Sequence, residues 1–221
     1  MSPESTIEYY QYIVRTYTQR FGDHAYPEII IYSVSFEQYI EWPAQGRWDL
    51  IAEGLSTAAK RLESAGTDFI IIATNTMHIV FDQVQASVNV PMINLLEVVG
   101  DAILKKGLNT VGLLGTRYTM EAEDLYPKAL SKKGITVVIP DESGRDFVNR
   151  VIYDELIKGE IREESHRGFL KVILEMAERG AQGVILGCTE IPLLVKAEDT
   201  PLVLFDTTLL HAEAALGFAL D

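Results

Sequence analysis

Unbroken aliphatic runs, rather than alternating ones, mark the interior of this chain. "FIIIAT" (69–74) and "GVILGC" (183–188) each end in a polar cluster, "TNTMH" (74–78) and "CTEIP" (188–192). A strand that is apolar at successive positions is one covered on both faces, as in a parallel sheet under helices. Ahead of each run stands an amphipathic helical stretch, "KRLESAG" or "LEMAERG", closed by Gly66 or Gly180. Glycine there fits the left-handed residue that ends many helices. Each unit therefore predicts helix, glycine turn, buried strand and polar loop.

The two units are copies. At a constant offset of 114 residues Gly66 falls on Gly180, Ile71 on Ile185, Ala73 on Gly187 and Thr74 on Cys188. A second matched pair, "VPMINLLEVVGDAIL" (90–104) and "TPLVLFDTTLLHAEAAL" (200–216), gives a proline, a short strand and a helix in both halves. Alternating strands and helices with short connections make doubly wound α/β units. This period is too long for a solenoid and is the size of a small domain. The expected fold is α/β: two pseudo-symmetric domains, each a doubly wound parallel sheet, with the site at their interface. Residues 1–98 make the first domain and take back the C-terminal helix at about 206–221; residues 99–205 make the second. The same shift lays Thr116 on Ser2, Thr119 on Ser5 and Tyr126 on Tyr12. "SPESTIEYYQYIV" is then the first half's loop and helix, and the counterpart of the strand "TVGLLG" (110–115) falls before Met1. The first domain is expected to lack that strand.

Composition narrows the function. The 221 residues are 48% hydrophobic, with no apolar run of the ~18 residues that a membrane span needs. "MSPESTIEYY" is not a signal peptide in pattern. A net charge of −13 argues against nucleic acid or an anionic membrane as partner. One cysteine excludes a disulfide framework and a multi-cysteine metal site, and points to a reducing, cytoplasmic setting. The histidines at 24, 78, 166 and 211 have no metal-ligand spacing, and neither GxGxxG nor a P-loop occurs, so neither metal nor cofactor is expected.

Ligands of open parallel sheets collect at the carboxyl ends of strands. Three polar loops stand at such ends, "TNTMH", "GTRYT" (115–119) and "CTEIP"; "MSPEST", which carries Met1, would be the fourth. Asn75, Thr76, Thr116, Thr119 and Thr189 are short donors able to wrap a carboxylate, together with helix-start amides. Taken one at a time, these residues are ordinary helix caps. Cys188 alone would be an inert buried thiol, but at a strand end, two residues before Glu190, it has a helix start that can favour thiolate and a carboxylate able to exchange a proton. Glu190 also suits a first-turn carboxylate complementing the helix dipole. His78, four residues after Thr74, is a candidate contact, although a lone histidine is more often structural. Arg47, Arg117 and Lys158 are candidates by charge to meet an anionic ligand, each with the character of a surface residue.

At these residues the sequence resembles the aspartate/glutamate racemase family over nearly its whole length. "MSPEST" is similar to that family's opening G-G-M-[GS]-x-E-[AS]-T, and "TNTMH", "LLGTRYTME", "GCTEIPLL" and "PLVLFDTT" follow in order. "GCTE" after an apolar strand is the most specific element, and "NTMH" points to the aspartate racemase branch. The resemblance implies a cofactor-independent isomerase, a homodimer, and one cysteine per half on opposite faces of a substrate α-carbon. By it, Cys188 is the second-half cysteine that acts on the L-enantiomer. The first-half position holds Thr74, as in some members that look directed at L-aspartate or L-glutamate. A threonine hydroxyl is a far weaker acid than a thiol, so it is a poor base but can pass a proton to a carbanion formed beside it. Two other readings stand: an enzyme resembling arylmalonate decarboxylase, which uses Cys188 only, and an amino-acid-binding protein with little catalysis.

Overall fold

The computed structural model describes all 221 residues as two compact units. One comprises Met1–Leu95 with His211–Asp221, the other Leu96–Leu210. No helix is long and apolar enough to cross a membrane.

The second unit is built on a four-stranded parallel sheet. β3 (Thr110–Leu114) and β5 (Gly183–Leu186) pair at its centre, with β4 (Thr136–Val138) outside β3 and β6 (Val203–Asp206) outside β5. β5 is buried at all four positions, and Val111, Leu113 and Leu114 of β3 are fully enclosed. Successive side chains of a strand point to opposite faces, so both faces of the sheet are covered. Each such side chain contributes about 1.5–3 kcal/mol. At the carboxyl ends the two central backbones nearly touch. Gly187 N–H donates to Leu114 C=O at 2.7 Å, and a Cβ on Gly187 would lie 2.9 Å from that oxygen. A side chain there would push the strand ends apart. Helices α5 (Leu95–Lys105), α6 (Arg117–Glu121), α7 (Tyr126–Ser131), α8 (Glu142–Asp154), α9 (Glu163–Glu178) and α10 (Ile191–Leu194) connect the strands. α8 starts where Asp141 accepts the amide of Gly144 at 2.7 Å, an N-cap worth about 1 kcal/mol.

The first unit carries α1 (Pro3–Phe21), α2 (Phe36–Ala44), α3 (Trp48–Ser64), α4 (Phe81–Gln85) and the end of α11 (Thr207–Leu220). Its sheet is two parallel strands of two residues each, β1 (Ile70–Ile71) and β2 (Met92–Ile93). The apolar run at 69–73 reads as a five-residue strand, yet only two of its residues are paired. Alternation still divides its side chains: Ile70 and Ile72 join Ile51, Leu55, Phe81 and Val84 on one side, while Phe69, Ile71 and Ala73 meet Tyr9, Ile13, Ala212 and Leu216 on the other. Residues 27–35 belong to no helix and to no strand ladder. α1 begins at Ser2, whose hydroxyl accepts the Ser5 amide at 3.1 Å, with Pro3 in its first turn.

Gly66 and Gly180 both have positive φ, +88° and +97°, at the ends of α3 and α9. The turn read from the two copies of the pattern is therefore the same in both units.

Candidate active site

Cys188 follows the close approach of Gly187 and sits just past β5. Its Sγ donates to Glu190 Oε2 at 2.9 Å, and Thr189 Oγ1 donates to the same oxygen at 2.8 Å. The Cys188 carbonyl accepts the Ile191 amide and turns the chain into α10. All three residues are partly exposed. Tyr153 of α8 lies within electrostatic reach of Cys188, Glu190 and Tyr118. Burial raises the Tyr153 phenol pKa, and the charges of Cys188, Tyr118 and Glu190 push it the same way.

The helix-start thiolate expected at Cys188 is not what this geometry favours. Burial first, and then the charge and hydrogen bond of Glu190, push the thiol well above its ordinary range. The amides of Glu190 and Thr189 pull the other way and lose, and α10, at four residues, has little dipole to add. Cys188 rests as a thiol donating to a carboxylate.

The neighbouring loop after β3 is held by its own side chains. Thr116 caps α6, its hydroxyl accepting the Thr119 amide at 3.4 Å and lying 3.2 Å from Thr119 Oγ1. Thr119 is almost wholly buried, its methyl only 3.1 Å and 3.2 Å from where a Cβ on Gly115 or Gly187 would sit. Its place is structural support for the glycine pair rather than contact with a ligand. Arg117 is engaged by Glu121 and Asp146, Arg47 by Asp49, and Lys158 stands exposed. The first two cations are thus already matched.

In the first unit Thr74 follows β1, partly exposed. Its amide donates to Ile72 C=O at 2.8 Å and its carbonyl lies 2.8 Å from His78 Nδ1. His78 Nε2 is 3.1 Å from the Leu95 N–H and must accept from it. The proton therefore sits on Nδ1, which donates to Thr74. The same accounting applies to His211. Its Nε2 donates to Ile93 C=O at 2.9 Å, and its Nδ1 accepts the Tyr9 hydroxyl at 2.9 Å. The two rings meet edge to face at 5.8 Å. Burial, and for His78 also the neighbouring His211, lowers the pKa of His78 to about 3; burial lowers that of His211 to about 4. With both ring nitrogens engaged, His78 is not a substrate contact. It is a neutral brace for the Thr74 loop. Asn75 is buried where the 3₁₀ turn Thr76–Val80 begins, with Thr76 its first residue. Met1 is tied down too: its ammonium donates to Ala73 C=O at 2.8 Å, as does Ser5 Oγ at 3.0 Å.

Sequence reasoning found the "CTE" triplet and the loops, because each follows an apolar run directly. It missed Tyr118 and Tyr153. Tyr118 lies inside a quoted loop, whereas Tyr153 belongs to α8 and carries no local signal. No group of three or more His, Cys, Asp or Glu side chains is placed to hold a metal ion.

Known proteins resemble this chain in sequence and in fold. The chain is 24% identical, over 98% of its length and 94% of theirs, to the broad specificity amino-acid racemase RacX of Bacillus subtilis. Its fold is similar to that of a candidate Asp/Glu racemase from Yersinia pestis (42% identity, TM-score 0.94, covering 100% of this chain and 96% of that one). It is also similar to an aspartate racemase homologue from Pyrococcus horikoshii (38% identity, TM-score 0.86, covering 100% and 96%). The sequence pattern of the Asp/Glu/Hydantoin racemase family matches residues 1–215, and to that family of α/β proteins this chain belongs.

Proposed function

We propose that the protein racemises an amino acid without a cofactor, acting on aspartate or glutamate, with Cys188 as the group that takes the α-proton of the L-enantiomer. The observation that carries this reading is the hydrogen bond from the Cys188 thiol to Glu190 at the end of β5. A thiol beside a carboxylate is a poor acid while the site is empty, which protects it from side reactions. An amino-acid substrate brings an ammonium group. Placed near the Cys188 sulfur it stabilises the thiolate, which forms as its proton passes to Glu190 when there is an α-proton to remove. Glu190 takes the thiol proton, and Cys188 takes the substrate's.

Thr74 is assigned the opposite face from its equivalence to Cys188 in the repeat. It donates to the carbanion and is a weak base in the reverse direction. Donors in the loops at Asn75, Thr76 and Thr189 suit the α-carboxylate, where charge builds up during proton removal.

The test is deuterium incorporation at the α-carbon in D₂O across a panel of L- and D-amino acids. L-aspartate or L-glutamate is expected to exchange fastest, and Cys188→Ala to abolish exchange. Retained exchange in that variant would place the chemistry elsewhere. The single thiol also suits one-sided protonation after loss of carbon dioxide. Carbon dioxide release from an arylmalonate, without exchange into any amino acid, would establish that reading instead.

A further inference from the structure

The end of β5 is held from two sides, and only one of the holds is a ladder bond of the sheet. On the β3 side Gly187 N–H donates to Leu114 C=O at 2.7 Å. On the other side β6 ends at Asp206, opposite Leu186, and the chain turns at once into α11. β6 therefore offers no ladder position beyond Leu186 to steady the two residues that lead to the Cys188 thiol. A side chain acts there instead. Thr207 Oγ1 donates to Leu186 C=O at 2.9 Å, and Thr207 is 0% exposed.

Three features set this hydroxyl apart from an ordinary helix-start threonine. Such a residue usually returns its hydroxyl to backbone within its own turn or helix, whereas Thr207 reaches a carbonyl 21 residues earlier, on another element. Its own position is fixed, because Asp206 accepts the amides of Thr208 at 3.0 Å and Leu209 at 3.1 Å and so closes the first turn of α11. A β-branched side chain adds stiffness about χ1. The third feature is the residue that separates Leu186 from the thiol. Gly187 must lack a Cβ to approach Leu114, and glycine is the residue that least restricts its own backbone. An outside anchor on Leu186 supplies the restraint that Gly187 does not.

We propose that Thr207 is a positioning residue for Cys188: its hydroxyl anchors the end of β5 on the β6 side and so keeps the thiol against Glu190. The kinetic part of this inference rests on the chemistry assigned to Cys188 above. The hold on the thiol is read without any substrate.

The experiment compares Thr207→Val, which keeps the branched shape and removes the hydroxyl, with Thr207→Ser, which keeps the hydroxyl. Ile173→Val, a buried change in α9, is the control for lost stability alone. Each folded protein is read for the pH inflection of Cys188 alkylation by iodoacetamide, and for kcat and KM of α-proton exchange with L-aspartate or L-glutamate in D₂O. In Thr207→Val the inflection is expected to move down towards the ordinary thiol range, because Sγ spends less time buried against Glu190. Its kcat is expected to fall by about tenfold or more with KM changed by less than about twofold, as misplacement of a reacting group does. Thr207→Ser is expected to restore both readouts, and Ile173→Val to lower Tm while moving neither. Should Thr207→Val not fold, Thr207→Ala, with its higher helix propensity, is read in its place. An unmoved inflection in the variant without the hydroxyl would overturn the proposal. So would a serine variant that behaves like the valine one, or equal shifts in Ile173→Val. If the parent chain exchanges no amino acid, the racemase reading fails and the inflection alone decides: a shift that serine reverses supports the anchor, and no shift overturns it.

Discussion

At the scale of single residues, the balance of charge around one sulfur decides the chemistry. Cys188 is the only cysteine, so its titration can be read without interference. Alkylation by iodoacetamide as a function of pH is expected to show an inflection well above the ordinary thiol range, for burial and Glu190 both oppose ionisation. Glu190→Gln removes the charge, so the inflection should move to lower pH while substrate exchange slows, since the acceptor of the thiol proton is gone. An inflection that stays put would mean that burial alone sets the thiol. Thr74→Cys places a competent base at the equivalent position of the first half. D-enantiomer exchange is then expected to rise by about tenfold or more, up to the 10²–10⁴ that a positioned acid or base supplies. No gain would leave Thr74 as loop structure only.

At the scale of elements, the histidine pair joins five segments of the chain. His78 links the Thr74 loop to the start of α5, and His211 links α11 to β2 and, through Tyr9, to α1. Each ring works only while neutral. The folded values of about 3 and about 4 lie below the ordinary histidine value of 6.5, so between 6.5 and those values the unfolded chain binds more protons than the folded one. Stability is fully present above pH 6.5 and is lost as pH falls through this window, with a slope approaching two protons. Urea unfolding at pH 7 and at pH 4.5 measures it. His78→Asn, which retains a donor near the Nδ1 position, is expected to reduce the slope by about one proton. It should also lower kcat more than it raises KM, since the loop is then less firmly set. An unchanged slope would show that His78 already titrates freely.

At the scale of the molecule, the two units repeat one plan with unequal sheets. In one, β3 and β5 form a buried centre; in the other, β1 pairs over two residues and residues 29–32 have no ladder. Opening free energy follows burial and backbone pairing. Amides of Val111–Leu114 and Val184–Leu186 are expected to be among the slowest to exchange, and those of Ile29–Tyr32 to exchange orders of magnitude faster. Comparable protection in both places would mean that the halves share a single cooperative core.

The sequence by itself determined what repeats and what is local. Unbroken apolar runs specify strands covered on both faces, positive-φ glycines specify where α3 and α9 stop, and the 114-residue shift pairs Thr74 with Cys188. These are legible because each depends on neighbours within a few residues or on comparison of the chain with itself. Tertiary structure decided the rest. The ionisation of Cys188 depends on its burial and on where the Glu190 carboxylate turns, which no spacing encodes. Tyr153 reaches the cluster from α8, distant in sequence. His78 looked like a candidate ligand until Leu95, 17 residues away, claimed its second nitrogen. Whether an apolar run becomes a paired strand is decided last, by what lies beside it. The run at 69–73 has the composition of a central strand and pairs on one side alone, since backbone hydrogen bonds need a partner that composition does not supply.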